Sequence, residues 1–155
     1  MTSALHAPDH AHALKCELAG EVLRSCGKVR LQVTGWSMLP AVWPGDILFV
    51  ERTSASAVSE GDVVLFGREQ RLCAHRIVEK LGGSTFLARG DANPQPDPPV
   101  HSQELLGKVC SIVRNGKCTG LRRRRSIPQR VIAALVRNSR IAARILVQVS
   151  RSHHS

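Results

Sequence analysis

The run Lys28-Val-Arg-Leu-Gln-Val-Thr34 passes without a break into Gly35-Trp-Ser-Met-Leu-Pro40. Val29, Leu31 and Val33 alternate with polar neighbours, the period of a half-buried strand. The loop that follows must end this strand: Gly35 allows close backbone approach and Pro40 lacks the N–H that a continuing ladder would use. Such a loop can expose the Ser37 hydroxyl and aim backbone N–H groups at the same spot. The pattern repeats downstream. A strand fits Ile47 to Glu51 after the turn Pro44-Gly-Asp46, and another fits Val63 to Phe66 after Glu60-Gly-Asp62. Further strands fit Leu72 to Glu79, Thr85 to Ala88 and Gly107 to Val113. Short strands separated by Gly-Asp turns predict a mainly β domain, its sheet coiled into a sandwich or barrel. In the first two Gly-Asp pairs, Gly accepts positive φ and Asp bonds its own backbone, so both read as plain turns.

Helices are expected on both flanks. Leu14, Leu18, Val22 and Leu23 recur at three-to-four spacing, which predicts an amphipathic helix from Ala13 to Cys26, closed by Gly27. Residues 1–12 hold His6, His10, His12 and a proline without apolar periodicity, and read as a disordered leader; a polar His-bearing tail is commoner than a metal site. Beyond Leu121 comes the run Arg122 to Arg125, then Pro128 opening a helix that reaches Val149. There Arg130, Arg137, Arg144 and Arg151 fall seven apart and, at about 20° drift per heptad, stay on one side. The expected division is a leader (1–12), a main β domain with its N-terminal helix (13–120) and a basic amphipathic helix (121–155).

With 155 residues, 43% of them hydrophobic, the chain can bury one core but hardly two. The net charge of +10 is lopsided: the part up to Glu104 carries −2 and the remainder +12. Only 3% of residues are aromatic and none is Tyr, so a base-stacking platform has little to be built from, and no specific nucleic acid is expected as partner. The basic helix could instead lie on an anionic membrane surface or dock on its own domain or on a protein. Five cysteines without a CxxC pair support neither a disulfide framework nor a zinc site. No run of 18 to 20 apolar residues and no signal-peptide pattern occurs, which predicts a cytoplasmic chain, at most peripheral at the inner face of the membrane.

A serine becomes a nucleophile when a base takes its proton and a third group orients that base. Gly35-Trp-Ser-Met-Leu-Pro40 with Pro44-Gly-Asp-Ile-Leu-Phe-Val50 resembles the nucleophile box of signal peptidases and LexA-type self-cleaving proteins. Gly61-Asp-Val-Val-Leu-Phe66, Ala74-His-Arg-Ile-Val78 and Arg89-Gly-Asp-Ala-Asn-Pro-Gln-Pro-Asp97 resemble, in order, the remaining boxes of that superfamily. Together they span Val29 to Val109. The resemblance implies a serine endopeptidase without metal or organic cofactor, acting on a peptide or protein with small side chains near the cut. It implies Ser37 as nucleophile and His75 as base, where most relatives use lysine; histidine is the base of the archaeal and endoplasmic-reticulum signal peptidases. For the residue orienting His75 two candidates stand, Asp97 first and Asp91 second, the latter shaping the loop or sharing the role. Gly35, Trp36 and Met38 are expected around the oxyanion and the cleft, with Met38 packing the loop. Arg76 and Lys80 should face away from His75 by strand alternation, Arg76 as a surface or supporting residue. Two other readings are a non-catalytic peptide-binding module and a LexA-like self-cleaving regulator. A DNA-bound repressor is disfavoured, since one helix before Val29 leaves no helix-turn-helix.

Overall fold

The computed structural model describes residues 7–123 and Ala134. One helix, α1 (Ala7–Cys26), is followed by eight strands: β1 (Lys28–Gln32), β2 (Ile47–Glu51), β3 (Val63–Arg68), β4 (Arg71–Gly82), β5 (Thr85–Arg89), β6 (Val100–His101), β7 (Leu105–Arg114) and β8 (Lys117–Gly120). They form a single antiparallel sheet in the order β1-β2-β7-β3-β4-β5-β6. The long strand β7 holds β2 along one edge, while β3 and β8 share the other. The mainly β expectation is met, by one sheet that is not closed.

Both faces of the sheet are covered at its centre. Along β3 the side chains alternate between two cores: Val63 and Leu65 join Leu23, Met38, Val42, Leu48, Val50, Val109 and Ile112, whereas Val64 and Phe66 join Ile77, Phe86, Ala88 and Val100. This is why Val63 to Phe66 reads as a continuous apolar run. Helix α1 ends as expected, with the Gly27 N–H donating to the Leu23 carbonyl at 3.0 Å and Gly27 at φ 74°. Its start differs from expectation: Ala7–His12, assigned to the leader, is helical. A proline in a first turn removes no intrahelical hydrogen bond, so Pro8 does not stop the helix.

Residues 1–6, with His6, lie outside the described residues, as do Arg130, Arg137, Arg144, Arg151 and the rest of the expected C-terminal helix apart from Ala134, which is helical. Among the described residues no helix is long and apolar enough to cross a membrane.

Candidate active site

Strand β1 delivers the chain into a turn that begins at Ser37. Met38 and Leu39 are sunk in the core at 4% and 0% exposure, so the turn is anchored directly beside the hydroxyl. From behind, the buried Asp46 carboxylate accepts the Trp43 N–H at 2.8 Å and two guanidinium contacts from Arg114, at 2.6 and 2.9 Å. The Trp43 indole N–H donates to the Pro40 carbonyl at 2.9 Å. Among the described residues, the N–H groups of Ser37 and Met38 take no part in the backbone hydrogen bonds of this turn.

His75 lies on β4, opposite Val64 of β3, and the edge of its ring meets Phe66 at 5.9 Å between centroids. Its Nε2 is 3.0 Å from the Ser37 Oγ and its Nδ1 is 2.6 Å from an Asp97 carboxylate oxygen. A carboxylate can only accept, so Nδ1–H donates to Asp97 and Nε2 is left to accept the Ser37 hydroxyl proton. Serine, imidazole and carboxylate thus form one unbroken relay, the arrangement that acyl transfer needs.

The loop between β5 and β6 holds this arrangement at three points. The Asp97 N–H donates to the Ala88 carbonyl at 2.8 Å. Just past Asp97, Arg68 donates to the Pro98 and Pro99 carbonyls, each at 2.8 Å. Arg68 is itself gripped by both oxygens of Glu104, at 2.8 and 2.9 Å. That contact holds the Glu104 carboxyl below its usual range and raises Arg68 above its own. At the start of the loop the Ala92 N–H donates to the Ser37 carbonyl at 2.7 Å. Gly90 permits this approach, since a Cβ there would come within 2.7 Å of the same carbonyl.

Of the two aspartates, Asp97 is the one on His75. Asp91, expected as the second candidate for that place, is fully buried and gives its two oxygens to Arg76, at 3.0 and 2.9 Å. Arg76 faces away from His75 as alternation requires, but at 6% exposure it is no surface residue. Lys80 donates to the Val58 carbonyl at 2.8 Å.

Ser37 and His75 border a cavity of about 570 Å³ walled by α1 (Lys15, Leu18, Ala19 and Val22), β1 and the first half of β4. Gly35 and Met38 line it. Trp36 does not: it is 44% exposed and outside the cavity wall. Cys73, two residues before His75, also lines the cavity. Burial first, and then the charge of Asp97, push its thiol up. Arg68 and Arg114 escape sequence reasoning because each acts through a carboxylate or carbonyl distant in the chain, whereas Arg76 was expected as a surface or supporting residue and is the latter.

A protein-family model described as Peptidase S24-like matches residues 8–110, a span that contains Ser37, His75, Asp91 and Asp97. A search of curated proteins found no match.

Proposed function

Because the chain belongs to the Peptidase S24-like family, we propose that it is a serine endopeptidase using Ser37, His75 and Asp97. The observation that carries this reading is the relay from Ser37 Oγ through both imidazole nitrogens to Asp97, at 3.0 and 2.6 Å. His75 Nε2 takes the hydroxyl proton as Ser37 Oγ bonds to the substrate carbonyl carbon. The imidazolium that results is met by Asp97. The N–H groups of Ser37 and Met38 are the donors for the oxyanion. Collapse breaks the C–N bond and His75 returns the proton to the leaving amine. Water, deprotonated by the same nitrogen, then releases the acyl group.

Two free backbone edges support an extended substrate. Among the described residues β1 ends the sheet, and β4 pairs with β5 only from Arg76 onward, so Leu72 to His75 lie outside the β5 pairing. A peptide added between these edges would present its carbonyl to Ser37. A histidine base groups the chain with the histidine-using signal peptidases, whose preference for small side chains near the cut is carried over as part of the proposal.

The test is incubation of the purified protein with a diverse peptide pool beside Ser37→Ala and His75→Ala, with intact mass followed in parallel. Cleavage of pool peptides by the parent alone is expected. A parent that shortens only itself would favour the self-cleaving regulator, one that cuts nothing would favour the binding module, and cleavage surviving both substitutions would remove the relay.

A further inference from the structure

The chain beyond β8 returns to the back of the active site. Leu121 packs against the core cluster that includes Met38 and Val42. The Arg122 carbonyl accepts Arg76 Nη1 at 2.9 Å, and the same nitrogen donates to the Gly61 carbonyl at 2.8 Å. The Arg123 Nε–H donates to the buried Asp62 at 2.8 Å. Its backbone lies so close to Gly61 that a Cβ there would come within 2.6 Å of the Arg123 carbonyl. Gly61 leaves the room for the Arg123 backbone, Arg76 supplies a donor to the Arg122 carbonyl, and Asp62, which also accepts from Lys108 at 3.3 Å and from the Ser59 N–H at 3.0 Å, keeps its Oδ1 for Arg123.

We propose that Leu121–Arg123 is a strap that positions the catalytic loop, acting through Arg76. The proposal rests on the peptidase reading for what is positioned, but its contacts stand independently. Arg76 links the strap to Asp91, and the next residue, Ala92, donates to the Ser37 carbonyl at 2.7 Å. With its side chain only 7% exposed, Arg76 has little water to replace a lost carbonyl. Losing the strap therefore opens the Arg76–Asp91 pair to solvent and loosens the segment that fixes Ser37. The strap residues are positioning residues; none touches the reacting atoms.

The test uses the full chain. Arg123→Glu sets a second carboxylate beside Asp62 and expels the strap. Arg123→Lys keeps the charge, and Arg125→Glu makes the same charge change two residues further along the basic run. Should Arg123→Glu not fold, Arg123→Ala takes its place. Two readouts are followed: amide hydrogen exchange at Ala92, and the rate at which a fluorophosphonate labels Ser37, alongside kcat and KM on a cleaved peptide. For Arg123→Glu the expectation is exchange at Ala92 faster by about tenfold or more, and labelling and kcat down by about tenfold with KM nearly unchanged, because misplacement affects the reacting geometry more than binding. Arg123→Lys and Arg125→Glu should match the parent. Parental exchange at Ala92 in Arg123→Glu, or equal changes in Arg123→Glu and Arg125→Glu, would overturn the strap. If the parent neither labels nor cleaves, the peptidase reading falls, and exchange at Ala92 still decides whether the strap holds the loop.

Discussion

His75 and Arg76 are neighbours on β4, they face opposite ways, and each meets an aspartate from the same loop. The His75–Asp97 contact is single, at 2.6 Å, with side chains 10% and 20% exposed; the Arg76–Asp91 contact is double, at 2.9 and 3.0 Å, with side chains 7% and 0% exposed. In the first pair His75 borders the cavity and keeps one ring nitrogen for Ser37. The second is shut away, and a guanidinium does not give up its proton. One loop thus supplies two carboxylates of the same kind. Position alone sets one on the imidazole beside Ser37 and the other on a buried guanidinium.

That contrast can be broken experimentally. On the groove side, Ser37→Ala and His75→Ala should each lower kcat/KM by about 10⁴-fold or more, with the thermal midpoint little changed. Asp97→Asn should lower kcat by roughly 10³-fold, because an amide can hold the wrong tautomer of His75, again with stability near parental. On the buried side, Asp91→Ala should lower stability in denaturant titration by about 3–5 kcal/mol, the penalty for leaving a buried charge unpaired. The joint replacement Arg76→Met with Asp91→Leu should recover most of that loss. If Asp91→Ala kept its stability and lost its activity while Asp97→Asn did the reverse, the two roles would have to be exchanged.

The smallest effect concerns the clamp at the far end of the loop. Arg68 lowers the Glu104 carboxyl below its ordinary value of 4.5, so Glu104 contributes stability above that value and loses the contribution as pH falls through its lowered folded value. The thermal midpoint of Glu104→Gln should therefore lie below the parent near neutrality, and the gap should close as the pH drops below 4.5. A gap independent of pH would assign the difference to packing instead.

Much of this architecture is legible in the residues, and the parts that are not have physical reasons. Alternation located β1, and short runs set off by turn signals located β2 to β5 and β7, because each places apolar side chains on a core. β8, Lys117–Gly120, is exposed throughout and shows no such face, though the turn that makes it is announced by Asn115-Gly116, both at positive φ. β6 is only two residues long. The relay itself was readable as a serine loop, a strand histidine and a following acid. Choosing between Asp91 and Asp97 depended on which face of β4 each reaches, and a sequence shows that faces alternate without showing what covers them. The covering of Arg76 comes from Gly61 and Arg122, the latter 46 residues away in the chain. Trp36 was expected in the cleft from its place beside Ser37, but the turn directs Met38 inward and leaves Trp36 at the surface.

The central claim is that Ser37 is made nucleophilic by His75, and one measurement addresses it without knowledge of the natural substrate. The full-length protein is treated with a fluorophosphonate and the adduct is mapped by peptide mass spectrometry, beside His75→Ala. A single adduct on Ser37 in the parent, slowed by orders of magnitude in His75→Ala, is the expected result. No adduct, an adduct on another residue, or equal labelling of Ser37 without His75 would contradict the account.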